Sequence, residues 1–104
     1  MSESVSIAQV YERIRERMNA DPAQSYVARL TREGEDAVLQ KIGEECTEVI
    51  LAAKNGDFGP AVHEIADLWF HVLVWMAQAG ISPDDIEAEL GRRYHTTAPT
   101  PAEE

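Results

Sequence analysis

Two carboxylate pairs, Glu45-x-x-Glu48 and Glu64-x-x-Asp67, are the residues whose types and spacing point most directly to chemistry. Residues three apart share one helix face, so each pair aims both acids the same way. The pairs lie in two consecutive segments that read as helical, separated by Asn55-Gly56-Asp57-Phe58-Gly59-Pro60. A turn there lets the helices run antiparallel and oppose the pairs. Four carboxylates at one point repel one another unless a cation sits among them. An all-oxygen set suits a hard ion, and Mg²⁺ or Mn²⁺ is the usual occupant where phosphates are handled. Such an ion orients water, polarises a phosphoryl oxygen and neutralises charge on a leaving group. A carboxylate left free of metal could take the proton of the attacking water.

The neighbours of these acids refine the picture. Glu45 falls inside the apolar stripe of its helix, where an unpaired carboxylate is costly to bury. Glu44 points away from Glu45 but shares a face with Glu48, which makes it a candidate fifth acid. Lys41, one turn before Glu45, either pairs with that acid or reaches a substrate phosphate. His71 continues the face of Glu64 and Asp67, and reads as a core histidine before it reads as a metal ligand. His63 lies off that face. Cys46 reads as a small packing residue, and Trp69, Trp75 and Phe70 as core, not as a base-stacking platform.

The elements that must position these residues follow from periodicity and from stop signals. The helix with the first pair should run from about Glu35 to Lys54, its stripe being Val38, Ile42, Val49 and Ala53 and its stop Asn55-Gly56. Gly59-Pro60 opens the helix with the second pair, which should reach Ala79 with Gly80 as its cap. Val62, Ile65, Ala66, Trp69, Leu73 and Met76 form one face of it. From Leu68 onward it is apolar nearly all round, the pattern of a helix buried on every side. In 104 residues a partner subunit is the expected extra cover. Upstream, Ser6 and Gln9 form a capping box before Ile7, Val10, Tyr11, Ile14 and Met18, and Asp21-Pro22 ends that helix. Ser25 to Leu30 is a short helix or an ordered loop. Downstream, Ser82-Pro83-Asp84-Asp85 starts a last helix that ends near Arg92-Arg93, where cations complement the macrodipole. No segment alternates like a strand. The expected class is all-α: four to five helices in an antiparallel bundle completed by dimerisation, with one domain over residues 1–95 and a disordered tail over 96–104.

Composition narrows the partners. Nine Lys and Arg face nineteen Asp and Glu, a formal charge of −10. That balance leaves no basic patch for a nucleic-acid backbone, while a free nucleotide remains open if metal ions neutralise its phosphates. The single cysteine excludes an intramolecular disulfide and fits a reducing cytosol. The N-terminus shows no signal peptide, and the uncharged stretch from Leu68 to Pro83 is too short to span a bilayer comfortably. The expected setting is cytoplasmic, with a small nucleotide substrate and neither a membrane nor a nucleic-acid partner. There is no GxxxxGK[ST] loop, no Cys-His pair suited to acyl chemistry and no dinucleotide fingerprint. Metal-assisted hydrolysis of a phosphoanhydride is the reaction class that fits best.

Three strings then resemble one family: Lys41-Ile42-Gly43-Glu44-Glu45-Cys46-Thr47-Glu48-Val49, Ala52-Ala53-Lys54-Asn55-Gly56-Asp57, and Glu64-Ile65-Ala66-Asp67-Leu68-Trp69-Phe70-His71. They look like the phosphoribosyl-ATP pyrophosphatases, within the MazG-like all-α nucleotide pyrophosphohydrolases. Ser25-Tyr26 with Leu30, and Ile81 to Arg93, extend the resemblance over nearly the whole fold. It implies an all-α homodimer, dependence on Mg²⁺, and hydrolysis of phosphoribosyl-ATP to phosphoribosyl-AMP and pyrophosphate, the second step of histidine biosynthesis. By position, Glu44, Glu45, Glu48, Glu64 and Asp67 match the family's catalytic acids, with Glu45, Glu48, Glu64 and Asp67 as the metal set. Lys41 and Lys54 match basic positions that could meet phosphate, and Asn55 and Ser25 join them as implied substrate-binding residues. Thr31 to Asp36 is more acidic than the resemblance leads one to expect. Two other readings stay open: a house-cleaning pyrophosphatase for non-standard or excess deoxynucleotides, and a helical dimerisation module whose acids are merely surface.

Overall fold

Local capping chemistry divides the chain into its helices. A computed structural model describes residues 3–94; the tail expected over 96–104, and the ends of the domain expected over 1–95, lie outside the described residues. Among those described there are five helices and no strand. Helix α1 (Ile7–Arg17) begins at the capping box expected for it: the Ser6 hydroxyl accepts the Gln9 N–H at 3.0 Å and the Gln9 side chain accepts the Ser6 N–H at 2.8 Å. It stops a turn before Asp21-Pro22. The Asp21 carboxylate accepts the Ala23 N–H at 3.0 Å instead, a local bond that builds a turn rather than ending a helix.

The ambiguous segment is a helix, α2 (Tyr26–Glu33), started by the Ser25 hydroxyl, which accepts the Ala28 N–H at 3.1 Å. Gly34 alone joins it to α3 (Glu35–Asn55). Its φ of +103° is one that a side chain would strain, and it allows two helices to meet without a loop. Gly56, at φ +71°, closes α3 in the left-handed cap its position suggested. Helix α4 (Phe58–Ala79) returns along α3, and α5 (Pro83–Arg93) starts on a second capping box between Ser82 and Asp85.

The α3–α4 hairpin is the largest pairing, and α1 and α2 pack on one half of it. Tyr11, Ile14, Val27, Leu30, Val38, Leu73, Val74 and Met76 form the core, so the covered half is the one away from the hairpin turn. Ile14, Val38 and Val74 are fully buried, each contributing about 1.5–3 kcal/mol of transfer free energy. The Tyr11 hydroxyl donates to the Ile81 carbonyl at 2.6 Å and ties α1 to the end of α4.

This one-sided cover corrects several expectations. The fully buried line of α3 is Val38, Glu45 and Ala52, seven residues apart; Ala53 is exposed and Ile42 and Val49 are half-buried. Cys46 is exposed, off that line. On α4 the expected apolar face is split. Leu73 and Met76 enter the core, whereas Val62, Ile65, Ala66 and Trp69, beyond the reach of α1 and α2, face outward. The run Leu68–Ala77 is largely covered within the protomer. The radius of gyration is 15.8 Å, against about 13 Å for a compact chain of 100 residues, as befits a hairpin extending past its own core.

Candidate active site

Helix α3 holds Glu45 in its buried line, at 6% exposure, and α4 places His71, at 5%, directly against it. His71 Nδ1 lies 2.7 Å from Glu45 Oε1 and 3.0 Å from the Asp67 carbonyl one turn back. The N–H is aligned with the carbonyl. Glu45 Oε1 therefore sits beside the imidazole without a linear hydrogen bond, and it is buried with no other donor. Both neighbours of Nδ1 are acceptors, so that nitrogen carries the proton. Nε2 lies 2.7 Å from the Tyr26 hydroxyl, which donates to it when the ring is neutral. Burial raises the Tyr26 phenol above its ordinary value, which keeps it an O–H donor. The rings of Tyr26 and Phe70 stack 6.2 Å apart, and the imidazole stands edge-on to both.

The acids meet across the hairpin. Burial raises the pKa of Glu45 above the ordinary carboxylate value; the nearby His71 opposes this, the Asp67 charge adds to it, and Lys41 opposes it. Glu64 is raised too, by desolvation first and then by a hydrogen bond and charge from Glu48, with His63 opposing and Asp67 adding. Glu45 thus feels Asp67, and Glu64 feels Glu48: three steps forward on α3 match three steps back on α4, as antiparallel helices require. Ligand atoms of His63, Glu64 and Asp67 all lie within 4.8 Å of one another, and His63 Nε2 is 3.3 Å from Asp67 Oδ2. Four carboxylates that act on one another pairwise across the hairpin, one with a buried oxygen lacking an aligned donor, make a donor set that fits a hard divalent cation. Glu45, Glu48, Glu64 and Asp67 could hold it, with His63 in reach of its edge.

A family model for phosphoribosyl-ATP pyrophosphohydrolase matches residues 7–94. The chain belongs to that family. Curated relatives named phosphoribosyl-ATP pyrophosphatase are similar to it over most of both chains. The protein from Methylococcus capsulatus is 51% identical over 83 residues, which is 80% of this chain and 79% of the relative. That from Methylibium petroleiphilum is 48% identical over 93 residues, 89% and 78% of the two chains. That from Burkholderia vietnamiensis is 57% identical over 81 residues, 74% and 67%. The matched span takes in both acid pairs and all five described helices, so the all-α hairpin described above is the scaffold of a pyrophosphohydrolase.

Other expected site residues of this pyrophosphohydrolase lie outside the set of four acids. Glu44 is exposed, accepting from the Gln40 amide at 3.1 Å and lying 3.9 Å from Lys41 Nζ. Such an exposed pair contributes little to stability, which leaves Lys41 free to move. Ser25 is buried and its hydroxyl caps α2. Lys54 and Asn55 are exposed at the turn end of α3. Lys54 is six residues beyond Glu48, about 9 Å along the axis, and makes no ion pair with the acids among the described residues. Reading the sequence missed the contact of His63 with Asp67, though its i,i+4 spacing was a usable signal. It also missed the link from Tyr26 to His71, for which a separation of 45 residues offered none.

Proposed function

We propose that this pyrophosphohydrolase hydrolyses phosphoribosyl-ATP to phosphoribosyl-AMP and pyrophosphate, the second step of histidine biosynthesis, with residues 1–95 as its catalytic domain. The observation that carries the reading is the meeting of Glu45 with Asp67 and Glu48 with Glu64 across α3 and α4. When bound there, Mg²⁺, or Mn²⁺ in its place, supplies charge neutralisation for the polyphosphate and acidity for the attacking water. Glu45 packs against His71, and Tyr26 fixes the His71 ring, so the most buried acid keeps one geometry through turnover. Glu44, outside the four, accepts the proton of the water. Lys41 leaves Glu44 to meet a phosphate oxygen. Ser25 acts through the helix it caps, by which Tyr26 is positioned. Lys54 and Asn55 reach a substrate only across a homodimer. The exposed stripe Phe58, Val62, Ile65 and Trp69 supports that assembly. A cytoplasmic setting without membrane or nucleic-acid partners accords with the charge of −10 and the lone cysteine. No single helix among the described residues is long and apolar enough to cross a membrane.

Phosphorus NMR of the products tests the reaction. Phosphoribosyl-ATP should yield pyrophosphate and no early orthophosphate, and should be consumed in preference to common nucleoside triphosphates. Phosphoribosyl-ADP with orthophosphate as first products would overturn the assignment.

Mg²⁺ should also stabilise the fold in a pH-dependent way. Glu45 and Glu64 have raised values in the folded chain, so the stability they contribute is full below their ordinary value of 4.5 and is lost as pH rises through the folded values. Mg²⁺ binds the ionised native cluster and not the unfolded chain, which restores that loss. The rise in melting midpoint on adding millimolar Mg²⁺ to EDTA-treated protein should therefore grow from pH 4.5 to neutrality. A midpoint unmoved by Mg²⁺ at neutral pH would mean that the acids do not act as one cluster.

A further inference from the structure

One groove of ligand size does not open over the acids. It measures about 420 Å³ and lies between α1, α2 and α4, within the size of small-ligand sites (roughly 300–1,000 Å³). Val10, Ile14, Val27 and Phe70 make its floor, and Arg13 and Arg17 its edge. The two arginines stand at i,i+4 on one face of α1, where like charges repel. Neither makes an ion pair among the described residues. Elsewhere Arg15 pairs with Glu12, Lys41 with Glu44, and Arg92 and Arg93 with Glu89, whereas Arg13 and Arg17, like Arg29, Arg32 and Lys54, have no carboxylate at ion-pair distance among the described residues. One layer of packed rings lies between the groove and the acid cluster: Phe70 contacts Tyr26 and His71, and His71 meets Glu45.

An apolar floor beside two free guanidiniums complements a sugar or base that carries a phosphate. The acid cluster accepts polyphosphate only through a cation, so a second, unreacting phosphate needs a separate cationic site. We propose that the groove takes the phosphoribosyl arm of the substrate, Arg13 and Arg17 forking its phosphate while Phe70 and Val10 pack against the ring. This assignment rests on the function proposed above. It gives the enzyme a means to prefer phosphoribosyl-ATP over ATP, because binding energy from a remote group can be used at the reacting centre.

The test compares phosphoribosyl-AMP with AMP by calorimetric titration of the Mg²⁺-loaded full chain. The unaltered protein should bind phosphoribosyl-AMP at least about tenfold more tightly than AMP. The Arg13→Gln, Arg17→Gln double variant should lose that preference while its affinity for AMP stays within about twofold. Both side chains are exposed, so the fold should survive, as a melting curve will show. Arg13→Lys with Arg17→Lys, which keeps the charge but not the fork, should retain part of the preference. A preference that persists in the double variant overturns the groove alone, leaving the reaction intact. An unaltered protein that turns over phosphoribosyl-ATP no better than ATP overturns both. A double variant altered only in its self-association would assign the groove to a second copy of the chain and overturn the phosphate site.

Discussion

Glu48→Gln and Asp67→Asn are each expected to lower turnover by about a hundred- to a thousandfold, the scale on which a single group that stabilises developing charge acts. Each change keeps the shape of the side chain and removes one formal charge from a site proposed to hold a divalent cation. The fold should not suffer. Glu64 already holds its proton more tightly through desolvation first and then through Glu48 and Asp67 beside it, so removing one neighbour relieves repulsion in the metal-free protein. The bond from His71 is also safe, since it goes to the Asp67 backbone carbonyl and not to its carboxylate. Initial rates at saturating Mg²⁺, with melting curves in EDTA, separate the two effects. Near-normal turnover in both variants would mean these acids are not ligands, and a lowered metal-free midpoint would contradict that repulsion.

Trp69→Arg should convert the homodimer proposed above to monomer at micromolar concentration. Trp69 is 55% exposed, and with Phe58 at 82%, Val62 and Ile65 it continues one stripe of α4 at i, i+4, i+7 and i+11. Ile50 and Leu51 widen that surface from α3. An exposed apolar patch of this kind on a hairpin that outruns its own core marks an interface. A tryptophan at the centre of an interface carries about 2 kcal/mol or more. A two-fold interface holds it twice, so dimer affinity should fall on the order of a thousandfold. The new guanidinium would add an uncompensated charge to the apolar surface. Sedimentation equilibrium decides the matter: a wild-type protein that is already monomeric at micromolar concentration leaves the stripe without the partner inferred for it.

Much of the scaffold was legible because it is written in local physics. Ser6 with Gln9 and Ser82 with Asp85 cap helices through bonds spanning three residues, and Gly56 and Gly80 end them by adopting φ values that side chains resist. The two acid pairs, their shared faces and the turn between them needed only the helix period. So did the burial of Glu45, whose place in the apolar stripe follows from 100° per residue. The period says which side chains share a face, but not which neighbour covers it. Helices α1 and α2 cover only the half of the hairpin away from its turn, and that choice put Leu73 and Met76 in the core but left Val62 and Trp69 outside. It also left Lys54 and Asn55 exposed, and set Arg13 and Arg17 beside a groove. The segment after Ser25 became helix because Val27 and Leu30 could bury against that half. The partners of His71 depended on the same packing. Tyr26 and Glu45 reach one imidazole from two other helices, so its packing against the most buried acid arises only where three helices meet, a long-range contact that no spacing along one chain segment encodes.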